Sequence, residues 1–73
     1  MTAVHPSVQR MLVFFQSDHL PPHLQEISKP FQNLATEMAV RTSGPEATVG
    51  LRKLLEAKDC FVRAAIEAEA DKG

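Results

Sequence analysis

Apolar residues recur at helical spacing through the last third of the chain, and this pattern predicts one long helix from about residue 45 to about residue 70. Their positions fit the helical period: Ala47, Leu51, Leu54, Leu55, Phe61, Val62, Ala65 and Ile66. Pro45 is suited to the first turn, where its missing N–H is not needed. At 1.5 Å per residue the helix would be about 38 Å long. Its apolar stripe is two-sided, which indicates a partner helix on one side and another chain on the other.

Oppositely charged residues stand four apart on the same predicted helix, at Arg52/Glu56, Asp59/Arg63 and Arg63/Glu67. Each such pair stabilises an exposed helix face by about 0.2–0.5 kcal/mol. Lys58 differs from these charges because it falls on the apolar line. We expect its aliphatic stem to be partly covered there.

Two further helices precede the long one. The first, over about 6–17, has apolar residues at i, i+3, i+4 and i+7: Val8, Met11, Leu12 and Phe15. The second, over about 22–42, has a heptad-like seam: Leu24, Ile27, Phe31, Leu34 and Met38. A short turn at 42–44 leaves the last two helices antiparallel. The sequence therefore predicts an all-α fold in one domain of residues 1–73: a short N-terminal helix plus an antiparallel helical hairpin, assembled as a homo-oligomeric helical bundle.

Pro30 interrupts the second helix and admits two interpretations. If the helix continues, Pro30 deprives the Glu26 carbonyl of its donor and kinks the chain, at a cost of about 3 kcal/mol. The kink would aim Ser28 and Lys29 at a ligand. Alternatively, the helix breaks here and Ser28 caps a new one.

Composition narrows the class of protein. The chain has 73 residues, 44% of them hydrophobic and 23% charged, with a formal net charge of −1. These values are typical of one small globular domain without a basic field for DNA. The single cysteine excludes an internal disulfide. No apolar run approaches the roughly 18 residues of a membrane span, and the start lacks a basic signal region. We expect a cytoplasmic protein that binds neither DNA nor membrane.

Catalytic and metal-binding patterns are missing from the sequence. Its glycines are isolated, so no phosphate-cradling loop is present. Cys60 falls within the long helix, where we expect it to be packed rather than nucleophilic. His19 and His23 are four apart, but two prolines lie between them and no other ligands complete a tetrahedral set. The sequence predicts no enzyme, no catalytic residue, no metal and no cofactor.

Two stretches carry a resemblance to a known family. They are residues 20–31, LPPHLQEISKPF, and residues 51–59, LRKLLEAKD, followed by Arg63 and Ala64. The sequence looks like a small helical-hairpin protein common in phages and prophages of actinobacteria. More distantly it resembles the phage anti-CBASS cyclic-nucleotide sponges, whose hairpin domain also occurs in Thoeris anti-defence sponges. In that family an Ile-basic step, here 27–29, precedes a helix of the form Leu-x-Lys-Leu-x-Glu-Ala, here 51–57. The resemblance covers about residues 14–66.

The resemblance implies a function. It implies a phage anti-defence protein, a homo-oligomer of six chains in the cytoplasm of the infected bacterial host, that sequesters cyclic di- or trinucleotide signals between protomers without cleaving them. The family's stacking tyrosine is replaced here by the segment 16–18, so stacking on the base falls to Phe14 or Phe15, and Lys29 with an arginine would hold phosphate. The candidate ligand-binding residues are Phe14, Phe15, His19, Ser28, Lys29, Arg52 and Arg63.

Other functions stay open at this point. A phenylalanine at the position of Phe14 or Phe15 more often fills a core or a subunit interface than stacks on a ligand. The chain would then be a small helical oligomerisation or protein-binding module of phage origin with no nucleotide ligand, using the face of Val8, Leu12 and Phe15. A DNA-associated regulator is a weaker alternative because no helix clusters Arg and Lys.

Overall fold

The computed structural model describes residues 6–72, with side chains to residue 71, and this part of the chain is entirely helical outside its turns. The three helices are α1 (Pro6–Val13), α2 (Pro22–Arg41) and α3 (Pro45–Lys72). The predicted all-α class is confirmed. The molecule is elongated, 47 × 20 × 16 Å, because α3 spans nearly its full length.

Helix α1 ends at Val13, earlier than the predicted boundary near 17. The amides of Phe14, Phe15 and Gln16 donate to carbonyls three residues back, at 3.0, 3.0 and 3.1 Å. Bonds of this i→i−3 type tighten the last turn of a helix. The tightened turn ends α1 and carries Phe15 into the core, where it is fully buried.

Helix α2 passes through Pro30 without a break. The interpretation in which Ser28 caps a new helix is therefore wrong, because Ser28 lies in the interior of a continuous helix. Proline has no N–H, so it removes the bond to the Glu26 carbonyl. The helix begins instead at Pro22, whose fixed φ suits the first turn. The Gln25 side chain donates to the Leu20 carbonyl at 2.7 Å and so ties this turn to the preceding loop.

The connection between α2 and α3 is a three-residue turn at 42–44. The Thr42 amide donates to the Met38 carbonyl at 2.9 Å and closes α2. Gly44 has φ +96°, a conformation that L side chains rarely adopt. Its carbonyl then accepts the Thr48 amide at 3.2 Å, which is the first bond of α3. The positive φ thus lets the chain reverse direction within three residues.

Helices α2 and α3 lie side by side and antiparallel. Phe31 stacks on Phe61 with ring centroids 5.6 Å apart. Further from the turn on both helices, His23 Nε2 lies 2.6 Å from Glu69 Oε2. From the first contact to the second, the residue number falls on α2 and rises on α3, so the two helices run in opposite directions.

The core lies where α1 meets the α2–α3 pair. Its buried members are Phe15, Ala35, Ala39 and Leu51, with Val8, Met11 and Leu12 of α1 packed against them. The loop after α1 is fastened to α2 by the buried Ser17 hydroxyl, which donates to Gln32 Oε1 at 3.2 Å. Helix α1 therefore covers one side of the pair. The opposite side is left uncovered.

Candidate functional site

Helix α1, the residue that follows it and the middle of α3 form a small groove that is lined by one phenylalanine and two arginines. It has a volume of about 250 Å³ and is lined by Ser7, Arg10, Met11, Phe14, Arg52 and Leu55. Phe14 is 63% exposed, so its ring is available to a ligand. Arg10 lies in α1 and Phe14 is the first residue after it, and both line the groove that faces α3.

The electrostatics of this groove favour an anion. None of its lining residues carries a carboxylate. Within the described chain, the ion pairs are His23–Glu69, Glu37–Arg41 and Lys58–Asp59, so neither Arg10 nor Arg52 is neutralised by one. A guanidinium presents a planar fork of donors that matches the oxygens of a phosphate. An aromatic ring beside two such forks is suited to a ligand with a planar base and phosphate groups.

The structure brings together only two of the seven candidate residues, Phe14 and Arg52. Phe15 and Ser28 are fully buried, and the Ser28 Oγ has no hydrogen-bond partner among the described residues. Phe15 is a core residue in this chain, which leaves stacking to Phe14. A role of Ser28 in ligand binding stays a prediction.

The remaining candidates, His19, Lys29 and Arg63, are all exposed and line no part of the groove. Arg63 is eleven residues beyond Arg52 on α3, which is about 16 Å along the axis. A ligand would need a second chain to reach both. Their roles stay predictions.

Three expectations about α3 can be compared with the structure. Lys58 is only 9% exposed, with its Nζ 2.8 Å from Asp59 Oδ1, so the expected covering of its stem is confirmed. The prediction that Cys60 is packed is wrong, because it is exposed. None of the three predicted i, i+4 pairs forms in the described part of α3. Arg63 Nη2 instead donates to Cys60 Sγ at 3.4 Å, and exposed pairs are too weak to fix long side chains.

Arg10 is the groove residue that sequence reasoning missed. A single arginine in a short helix matches no motif. The available signal was its spacing, four residues before Phe14, because i and i+4 positions share a helix face.

A second surface lies on the side that α1 leaves uncovered, and we call it the open face. It is formed by two apolar stripes, Ile27, Phe31, Leu34 and Met38 on α2 and Ala47, Leu54, Phe61 and Ala65 on α3, with Thr42, Ser43 and Glu46 at its end near the turn. Two apolar grooves lie along it. One, of about 570 Å³, is near the α2–α3 turn, and the other, of about 500 Å³, is beside the Phe31–Phe61 pair. Phe61 is 56% and Leu34 is 42% exposed, which is costly for large apolar side chains in water.

Among residues 6–72, no group of three metal-ligating side chains lies together, and no helix there is long and apolar enough to cross a membrane. No protein-family model matches the chain, and no curated protein or solved structure does so either.

Proposed function

We propose that this chain is a phage anti-defence protein that binds cyclic di- or trinucleotide immune signals at subunit interfaces of a homo-oligomer and sequesters them without cleavage. The proposal takes its ligand class from the resemblance to the cyclic-nucleotide sponges. The single structural observation that supports it is that Phe14, which is 63% exposed, lines one groove together with Arg10 and Arg52.

The roles of these residues follow from their chemistry. Phe14 stacks on a base, which contributes about 1–3 kcal/mol. Arg10 and Arg52 each donate to phosphate oxygens, and such charge-assisted bonds are about twice as strong as neutral ones. Both act through local contacts, so the net charge of −1 is no obstacle.

The size of the groove supports a shared site. Pockets for small ligands are usually about 300–1,000 Å³, and this groove has about 250 Å³. One chain therefore supplies part of a site, and a second chain closes it. Lys29 and Arg63 are exposed and can reach the ligand from that second chain. Symmetric assembly then repeats the site around the oligomer.

Retention of the intact ligand is consistent with the groove's chemistry. Cleavage of a phosphodiester needs an activated nucleophile or a general base close to the phosphorus. The lining residues supply a ring, two guanidinium groups, the Ser7 hydroxyl and apolar side chains, but no carboxylate or imidazole that could activate a hydroxyl or water. These groups bind phosphate and do not activate water against it.

The experiment is a thermal-shift series with cyclic di- and trinucleotides, using the linear dinucleotides as controls. A ligand that binds only the folded chain stabilises it by about 2.7 kcal/mol at a hundredfold excess over its dissociation constant. We expect a shift with one cyclic class and recovery of that ligand intact by chromatography. The absence of any shift with every cyclic ligand would overturn the proposal.

Matched variants test whether the ligand binds in this groove. Phe14→Ala should abolish the shift, whereas Val13→Ala, at a neighbouring residue that is 55% exposed, should preserve it. Arg52→Ala should likewise abolish it, and the exposed neighbour Lys53 provides the control Lys53→Ala. Equal effects of Arg52→Ala and Lys53→Ala would remove this groove from the site.

The second candidate function is a helical oligomerisation or protein-binding module with no nucleotide ligand. The observation that favours it is the open face, whose exposed Phe61 and Leu34 are apolar and uncharged. It predicts a stable oligomer that shows no thermal shift with any nucleotide. The same series of measurements therefore separates the two functions.

A further inference from the structure

We propose that a second copy of this chain docks on the open face in antiparallel orientation, with α2 of one copy lying on α2 of the other. The inference rests on the homo-oligomer in the proposed function and names the surface that joins its chains. The result is a four-helix bundle of two stacked pairs, with α2 over α2 and α3 over α3, in which every neighbouring pair of helices is antiparallel, an arrangement that α-helical bundles commonly adopt.

The first argument is the shape of the open face. Near one end Phe61, which is stacked on Phe31, is 56% exposed and borders the groove of about 500 Å³. Near the other end lies the groove of about 570 Å³, between Leu34 and Met38 of α2 and Leu54 of α3. Gly50 lines this groove, and a Cβ built on it would meet nothing within 4 Å. A projection and a hollow on one face complement each other twice when two copies are related by a two-fold axis.

The second argument is register. Phe61 and Gly50 are eleven residues apart on α3, or about 16 Å. A two-fold axis that places Phe61 of one copy over Gly50 of the other crosses α3 midway, near residues 55–56. Across the molecule this level is close to Leu34, since Leu34 shares a groove with Leu54. Leu34, 42% exposed in the single chain, would then be buried against Leu34 of the second copy.

The third argument is charge along the edge of the face. Glu26 and Arg41 are both exposed on α2, eight residues before and seven residues after Leu34. The two-fold rotation therefore brings Glu26 of each copy beside Arg41 of the other. Glu37, which pairs with Arg41 at 2.8 Å within one chain, comes level with Phe31 and so meets no like charge.

The fourth argument is area. From Ala47 to Ala65 the open face is about 27 Å long, and the molecule is 20 Å wide. Two copies would bury up to about 1,100 Å² in total as a flat projection, close to the roughly 1,000 Å² that a specific interface requires. Interdigitation of Phe61 with the groove increases that area.

The first test measures oligomer mass by light scattering without any nucleotide. Leu34→Asp puts a charge at the predicted axis and should about halve the mass of the wild-type assembly, because one interface of a symmetric oligomer is lost. Val40→Asp is the matched control: Val40 is 56% exposed on the same helix and lines neither groove, so the mass should not change. Circular dichroism checks that both variants stay helical. A monomeric wild type, or equal masses for the two variants, would overturn the inference.

The second test reverses charged residues at the edge of the open face and leaves its apolar residues unchanged. Glu26→Arg and Arg41→Glu each place like charges together twice across the two-fold axis, so each should weaken self-association by about tenfold. Mixing the two variants restores both attractive pairs and should give mixed oligomers that are about as tight as wild type. A mixture that associates no better than either variant alone would overturn the antiparallel register.

The two proposals fail in different ways. A nucleotide-independent oligomer that Leu34→Asp dissociates, with no ligand shift, would refute sequestration and keep the interface. A thermal shift with a ligand, together with an oligomer whose mass is unchanged by Leu34→Asp, would keep sequestration and refute the interface.

Discussion

The imidazole of His23 pairs with the carboxylate of Glu69, with Nε2 and Oε2 2.6 Å apart, and so joins the first turn of α2 to the last turn of α3. The two side chains are 50% and 61% exposed. Exposed ion pairs contribute about 0–1 kcal/mol, so this contact adds little to global stability. Its effect is local, because it lies where helices fray and where few other contacts hold α3.

His23→Ala should therefore leave the thermal unfolding midpoint nearly unchanged while increasing amide exchange in the last turns of α3. His19→Ala is the control, since His19 is also exposed and forms no ion pair with a described residue. Hydrogen exchange followed by mass spectrometry measures the difference. Equal exchange at the end of α3 in both variants would show that the pair does not hold this helix end.

Two adjacent phenylalanines should differ sharply in their contributions to stability. Phe15 is fully buried in the core cluster, and truncating a buried phenylalanine costs about 3–5 kcal/mol. Phe14 is 63% exposed, and Phe14→Ala should change the free energy of unfolding by no more than about 0.5 kcal/mol. Urea unfolding measures both. A loss of similar size in the two variants would contradict the assignment of Phe15 alone to the core.

Two buried serines should respond to alanine with opposite signs. Ser28 Oγ is buried without a partner among the described residues, so Ser28→Ala removes a desolvated polar group and should stabilise the chain by about 1 kcal/mol. The Ser17 hydroxyl donates to Gln32 Oε1, and Ser17→Ala should destabilise by about 0.5–1.5 kcal/mol. Chemical unfolding of both variants tests the difference in sign. A destabilising Ser28→Ala would mean that this hydroxyl is satisfied in solution.

The turn between α2 and α3 depends on one backbone conformation. Gly44 has φ +96°, where a Cβ is strained, so Gly44→Ala should destabilise by about 1–2 kcal/mol. Ser43→Ala, in the same exposed turn, should stay within about 0.5 kcal/mol of wild type. The unfolding midpoints of the two variants provide the measurement. A neutral Gly44→Ala would indicate that the turn relaxes to negative φ.

The helices themselves follow from local patterns. Periods of three and four residues, Pro22 and Pro45 at first turns, and Gly44 in the connection act within a few residues of chain, so their consequences are readable without tertiary information. The burial of Lys58 could also be predicted from the sequence, because its position on the apolar line of the long helix implies that neighbouring side chains cover its stem. The end of α1 was less readable. The helix ends where it does because Phe15 is buried in the core, and that core is formed by residues that are distant from Phe15 in the sequence.

The candidate site shows the same division. The sequence shows that aromatic residues and arginines are available to bind a ligand. It does not show which of Phe14 and Phe15 is exposed. They are adjacent, about 100° apart on a helix, and either satisfies the pattern. Only the packing of α1 against Ala35, Ala39 and Leu51 decides that Phe15 is inside and Phe14 outside. The same packing brings Arg10 of α1 to Arg52 of α3, which are 42 positions apart in the chain.

The sequence by itself determined the three helices, the reversal at Gly44 and the amphipathic faces, since propensity, capping and periodicity are properties of neighbouring residues. The tertiary structure decided which of those faces α1 covers, which is left open, and which charges meet beside Phe14. These depend on how helices of unequal length share a small core. Helix α1 has eight residues and can cover only one side of the α2–α3 pair, so the open face exists because the chain has no further helix among residues 6–72 to place on it.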